Sequence, residues 1–208
     1  MNESVRSSDE TAERDRILEE AVNLCEGLRE GSKPSADEIG RIAGLLKEIT
    51  EFEAARALIE AFGSVDPASL GPETSLFREL VFCTYMSEEL PPRRRYRDAW
   101  GLLKKAGVFQ KREVSAGLLG LAGAIAKRQW EAEGDRNALE RALYLYMRGS
   151  SEPSREGQYC SVNAAYVLDK LAMLAEANRH EVGSDEAVAD RYREDARWIR
   201  RRILERLS

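Results

Sequence analysis

Apolar residues return every three or four positions along almost the whole chain, and no stretch alternates cleanly between apolar and polar. The first spacing places apolar side chains on one face of a 3.6-residue helix, whereas the second would mark a strand. The pattern therefore predicts an all-α protein. A first helix is expected from about Asp9 to Arg29, with Ile17, Leu18, Ala21, Leu24, Cys25 and Leu28 on one side. "GSKP" ends it. Ser35 followed by Glu38 fits a capping box, in which the hydroxyl satisfies a free amide of the first turn. It opens "SADEIGRIAGLLKEI", whose stripe is Ile39, Ile42, Leu45, Leu46 and Ile49. A short break leads into "EFEAARALIEAFG", which Gly63 is expected to close.

The same scheme recurs. "PETSLFRELVFCTYM" pairs with "RRYRDAWGLLKKAG", "SAGLLGLAGAIAKRQWEAEG" with "DRNALERALYLYMRG", and "QYCSVNAAYVLDKLAMLAEA" with "DEAVADRYREDARWIRRRILERL". The first helix of each pair starts near residue 35, 74, 115 or 159. That spacing of about forty residues exceeds the roughly thirty-four of a tetratricopeptide repeat. The second helices carry small residues where helices cross: Ala55, Ala99, Ala142 and Ala189. One helix pair cannot hide its own apolar stripe, so neighbouring pairs stack. The expected fold is a tetratricopeptide-like α-solenoid of about nine antiparallel helices. It is read as one domain over residues 1–208, with an N-terminal helix in 1–33 and four helix pairs in 34–208.

Composition agrees with this picture. Of 208 residues, 43% are apolar, enough for a core, and 33% are charged, as solvated outer helix faces require. Cys25, Cys83 and Cys160 lie far apart within apolar patterns and show no CxxC spacing. They read as small buried hydrophobes in a reducing compartment rather than as a disulfide framework or zinc site. The polar, acidic start "MNESVRSSDETAERD" is unlike a secretory signal. The longest uncharged run, Val114 to Ala126, is too short to span a bilayer. A cytoplasmic protein without a membrane segment is expected. Residues 1–90 carry 9 Lys and Arg against 20 Asp and Glu, and residues 91–208 carry 23 against 17. The basic portion could favour an anionic partner or could be ordinary solvated helix faces.

"GLLGLAGAIAKRQW", Gly117 to Trp130, is the stretch most suggestive of chemistry. It lacks the GxGxxG of a dinucleotide fold and the GxxxxGK[ST] of a P-loop. On a helix, Gly117, Gly120, Ala124 and Lys127 share one stripe, flanked by Gly123. Glycine costs roughly 1 kcal/mol against alanine within a helix, so its repetition implies close approach of something. Either a neighbouring helix packs there, or the stripe is a bare groove floor with Lys127 at its end.

"GLLGLAGAIAKRQW", "ALERALYLYMRG" and "YCSVNAAYVLDKLA", in that order, resemble the tetratricopeptide-like TRAFs-binding domain. That domain is found in the central regulatory region of apoptosis-signal-regulating kinases and in bacterial proteins of predicted conflict and stress signalling. The resemblance covers about Leu80 to Leu174. It departs at Ala124, where the family has arginine, and at Ser161, where it has glycine. What it implies is a regulatory module without catalysis, docking proteins as a scaffold. A nucleotide-derived signal is the alternative ligand, and the two departures bear on whether that ligand is kept.

Within the third block, Tyr159, Asn163, Tyr166 and Lys170 follow helical spacing on one stripe. A helix beginning near Tyr159 would direct free amides at an anion. First helices of stacked pairs line a common face, which would bring Lys127 and Asn163 to one groove. The candidate site is therefore Lys127, Arg128, Arg148, Tyr159 and Asn163, holding an anionic or aromatic-anionic ligand. Arg148 could equally complement its own helix C-terminus, and Asn163 could be an amide holding a turn. His180, the sole histidine, reads as a surface residue in a loop. No triad, HExxH or EF-hand spacing exists, so neither a cofactor nor a metal is expected, and an uncharacterised enzyme stands only as the second alternative to a binding module. The basic runs Pro91 to Arg97 and Arg197 to Arg206 contain aromatics that nucleic acid could use. In the second, however, Trp198, Ile199, Ile203 and Leu207 are spaced as a core side, which argues against it. The sequence leaves the oligomeric state open.

Overall fold

The computed structural model describes residues 3–111, 113–177 and 185–207, and among these it is helical throughout, with no strand. Among the described residues nine α-helices follow one another: α1 (Glu3–Arg29), α2 (Ala36–Glu48), α3 (Phe52–Val65), α4 (Ser75–Met86), α5 (Pro92–Lys105), α6 (Ala116–Glu133), α7 (Arg136–Gly149), α8 (Arg155–Ala177) and α9 (Asp185–Leu207). A 3-10 turn, Pro67–Leu70, follows α3.

Local chemistry sets the ends. Ser35 Oγ accepts from Glu38 N at 3.1 Å, and Thr74 Oγ1 from Phe77 N at 3.2 Å. The Asp135 carboxylate accepts from Asn137 N at 3.0 Å. Each bond satisfies an amide that has no partner within its helix. Pro92 opens α5, where its missing N–H costs nothing. Gly134, at φ 70°, closes α6 in the left-handed conformation, with its amide on Trp130 O.

Three boundaries differ from the sequence expectation. α1 begins earlier, at Glu3. α3 runs past Gly63, whose missing Cβ instead leaves space for the Leu70 side chain of the following turn. α8 begins one turn before Tyr159, at Arg155. Ser154 Oγ caps the Gly157 amide at 3.1 Å, and an added Cβ on Gly157 would collide with the Glu152 carbonyl. Gly157 thus lies inside the first turn and lets the preceding loop fold back on it. Tyr159 belongs to the second turn and does not stand at the helix's free amides.

The chain forms two compact units, Met1–Ala106 and Gly107–Ser208. In the first, α2 packs on α3, α3 on α4 and α4 on α5, with α2 also touching α4 and α1 lying on α2 and α3. Ile39, Ile42, Leu46, Leu58 and Ile59 are fully buried in its core. In the second, α6 packs on α7, α7 on α8 and α8 on α9, and α6 also touches α8. Its core holds Leu118, Ile125, Leu139, Leu145, Tyr146 and Leu171. Within each unit both helices of the leading pair, α2 and α3 or α6 and α7, thus meet each other and the first helix of the next pair, the arrangement of a tetratricopeptide-like repeat. Ala55, Ala99, Ala142 and Ala189 are all fully buried, as their place in the repeated pattern predicted.

One expected core position is corrected. Trp198 is 49% exposed, with Arg202 stacked 4.8 Å from its ring, while its neighbour Ile199 is buried. α9 meets α8 through alanines, Ala189 against Ala172 and Ala175. The buried line of α9 runs on through Ala196 and Ile199, and Trp198, one residue or about 100° off it, is left on the outside. His180 lies outside the described residues.

Candidate functional site

The glycine stretch forms most of α6, and its small residues are filled from neighbouring helices. A Cβ on Gly120 would stand 3.1 Å from Cys160 Sγ and 3.3 Å from Tyr159 Cδ1. On Gly123 it would stand 2.7–2.9 Å from three ring atoms of Tyr146. From the opposite side, a Cβ on Gly149 of α7 would lie 2.6 Å from Cys160 Sγ. Ala124 is buried as well. Of the two readings of this stripe, close helix packing accounts for Gly120 and Gly123. Cys160 belongs to that packing. Its burial pushes the thiol up to about 11, and burial likewise pushes Cys83 up to about 12, so neither is a ready nucleophile.

Lys127 lies at the C-terminal end of the same stripe, half-buried. Its Nζ donates to Asn163 Oδ1 on α8 at 3.0 Å. Asn163 Nδ2 donates in turn to Tyr159 O, one turn back, at 3.0 Å. The amide is thereby fixed with its oxygen towards the lysine. Lys127 Nζ also lies 5.2 Å from the centroid of the Tyr166 ring, and Lys170 Nζ lies 5.3 Å from the same centroid. Both contacts fall within cation–π range. Among the described residues, no carboxylate forms an ion pair with either lysine. Burial lowers the Lys127 pKa, Glu131 opposes that shift, and Arg128 adds to it. Two like charges thus share one ring with no paired counter-charge.

The other predicted residues take separate positions. Tyr159 is half-exposed, meeting Tyr146 edge-on at 6.2 Å between centroids. Arg128 turns to Glu131 at 3.8 Å on its own helix. Arg148, at the end of α7, donates to Lys111 O at 3.4 Å and lies 5.7 Å from the Tyr144 ring. No hydrogen bond, ion pair or ring contact joins Arg128 or Arg148 to Lys127 or Asn163. The structure therefore assembles Lys127, Asn163, Tyr159, Tyr166 and Lys170, while Arg148 stands apart and Arg128 acts on Lys127 only through its charge.

Two features escaped the sequence. Glu152, in the loop before α8, accepts from Ala116 N with Oε2 at 2.8 Å and supplies a negative charge at the start of α6. No local pattern announces a cap that arrives from 36 residues away. The exposed apolar positions Val162 and Met173 extend the Tyr159–Tyr166–Lys170 stripe along α8, and helical spacing could have revealed them.

The basic runs are partly engaged within the chain. Arg95 donates to Ser87 O at 3.3 Å, Arg97 pairs with Asp98 at 3.3 Å, and Arg200 pairs with Asp169. Among the described residues, no group of His, Cys, Asp or Glu side chains could hold a metal ion, and no helix is long and apolar enough to cross a membrane.

Helix pairs stacked in this way within each unit define a protein of the tetratricopeptide-like helical-repeat class. The chain belongs to the family described as Tetratricopeptide Repeats-Sensor, which matches residues 51–168. That match covers more than half of the chain and includes Lys127, Tyr159, Asn163 and Tyr166. No curated protein matches the sequence. A solved structure described as "DHF58 filament" is similar at 21% identity over 94% of this chain and 97% of that chain, with a TM-score of 0.25. Likeness at that level carries no argument about structure or function.

Proposed function

We propose that this chain is a non-enzymatic binding module that docks a protein partner on the outward face of α8 beside Lys127. Its setting would be a cytoplasmic signalling or stress-response system of a bacterium, as the resemblance to the regulatory TRAFs-binding domain implies. The observation that carries the reading is the surface itself. Tyr159, Val162, Tyr166 and Met173 are 40–58% exposed on one helix whose other side is core. Large apolar groups gathered in water mark interaction sites more often than inert surface. The family description, with its word "Sensor", supports a recognising role. The test is a photo-crosslinking residue at Val162, expressed in the native host, with the same residue at the exposed Glu140 of α7 as control. A polypeptide should be trapped at 162 and not at 140; equal trapping, or none, removes the reading.

A second reading rests on a different observation. Lys127, half-buried and without a paired carboxylate, suits a small nucleotide-derived anion. Calorimetry with nucleotides and ADP-ribose tests it. Heat of binding that vanishes in Lys127→Ala supports a small-ligand sensor, and identical behaviour of the two proteins across the panel rejects it.

A further inference from the structure

The exposed face of α8 has a more specific form than a patch. Arg155, Tyr159, Val162, Tyr166, Lys170 and Met173 are separated by steps of four, three, four, four and three residues. Such steps trace a single seam along a helix, with the spacing by which paired helices insert side chains between one another. From Arg155 to Met173 the seam is about 27 Å long at 1.5 Å per residue, the length of a partner helix of about eighteen residues. Val162 and Met173 are more than half exposed, whereas Cys160, Val167 and Leu171 on the opposite side are fully buried. The helix therefore has one face in the core and a second apolar line in water.

Charge specifies what could lie on that line. The seam contains no carboxylate. Asp169, beside it, is held by Arg200, and Glu176 is held by Arg193. Lys170 stands within the seam, and Lys127 reaches its edge from α6 through Asn163 and the Tyr166 ring. Their separation is bounded by the 5.2 and 5.3 Å that each makes with the ring centroid, so both act on one short segment of any ligand. A partner helix with basic flanks would face two ammonium groups that no carboxylate pairs directly, Glu131 acting on Lys127 only at a distance. One with carboxylates there would supply the direct ion pairs that the two lysines lack within the chain. Complementary charge of this kind selects the partner more than it tightens binding.

We infer that the docking face of α8 accepts an acidic amphipathic helix, with apolar residues at three-four spacing laid on Tyr159, Val162, Tyr166 and Met173 and with carboxylates set against Lys127 and Lys170. The inference rests on the protein-docking reading and adds the chemistry of the partner.

The experiment uses the full chain and three stapled helical peptides of 21 residues. One carries leucines at three-four spacing with glutamate flanks, one has the same leucines with lysine flanks, and one is a scramble of the first. Binding is read by fluorescence anisotropy, and a benzophenone on each peptide maps its position. The glutamate-flanked peptide should bind about tenfold more tightly than the lysine-flanked one and should crosslink to α8, and the scramble should bind neither tightly nor at one place. Lys170→Glu should narrow or reverse the preference, and Lys127→Met should weaken it, with circular dichroism verifying that both variants stay helical. Equal binding of the two flanked peptides, a preference unchanged by Lys170→Glu, or crosslinks away from α8 would overturn the inference. If the Val162 probe still traps a polypeptide in the host while the acidic preference is missing, docking survives and its charge rule fails. If the Val162 probe traps nothing and inorganic tripolyphosphate binds in a Lys127-dependent way, docking and charge rule fall together in favour of a small anion.

Discussion

Replacing Gly123 with alanine should destabilise the protein, although alanine is the better helix former. The added Cβ would stand 2.7, 2.8 and 2.9 Å from Cε1, Cδ1 and Cζ of Tyr146. Carbon atoms prefer about 3.5–4.0 Å, and all three of these contacts lie well inside that distance. The ring is rigid and fully buried, so it cannot swing into water. Overpacking of a core typically costs about 1–3 kcal/mol, and three simultaneous ring contacts argue for the upper half. Alanine returns about 1 kcal/mol of helix propensity. The net expectation is a loss of about 1–2 kcal/mol. Gly44 in α2 and Gly101 in α5 provide controls, because a Cβ at either would meet nothing within 4 Å. There the same substitution should stabilise by up to about 1 kcal/mol. Urea unfolding of all three variants, read as midpoint and slope, measures the contrast. Adding Tyr146→Leu to Gly123→Ala should recover part of the loss, making the pair less destabilised than the sum of the single changes. If Gly123→Ala proves as benign as Gly44→Ala, or the double variant is strictly additive, the stripe is not packed against Tyr146 and the bare-floor reading returns.

Other consequences are open to direct measurement. Burial places Lys127 below the ordinary lysine value of 10.5, so between its folded and unfolded values the unfolded chain binds more protons and stability rises with pH. Lys127→Met should flatten that rise in alkaline unfolding experiments, and an unchanged slope would show the amine to be well solvated. Glu152→Ala leaves the Ala116 amide without its carboxylate and should lower stability by about 1 kcal/mol, with amide exchange quickening at the start of α6. A thiol reagent at pH 8 should reach half-exposed Cys25 before Cys83 and Cys160, which burial both hides and keeps protonated; simultaneous labelling of all three would contradict the burial. The single-domain reading expects calorimetry to record one unfolding transition for the whole chain, and two transitions assignable to residues 1–106 and 107–208 would divide it.

The candidate site was legible to different depths. Lys127 and Asn163 were paired by inference from the repeat, since both lie on first helices of successive pairs, and they meet in a hydrogen bond. The line from Tyr159 to Lys170 followed from spacing alone. Arg128 and Arg148 entered by nearness in sequence and resemblance, but a step of one residue rotates a helix position by about 100°, which turns Arg128 towards Glu131. Trp198 was assigned to the core by its spacing with Ile199, Ile203 and Leu207, and the buried line through Ala196 and Ile199 left it outside. Residue spacing cannot convey how close two helices come.

Helical periodicity and capping residues sufficed to predict about nine helices and their approximate limits, because a helix's register and its end bonds are set by residues within one or two turns. Small residues at Ala55, Ala99, Ala142 and Ala189 marked the crossings for the same reason. Only the tertiary structure decided that Tyr146 and Cys160 occupy the space over the glycines, that Glu152 caps a helix 36 residues earlier, and that Lys127 and Lys170 share the Tyr166 ring. Those contacts join residues far apart in sequence, and their distances depend on how several helices pack at once.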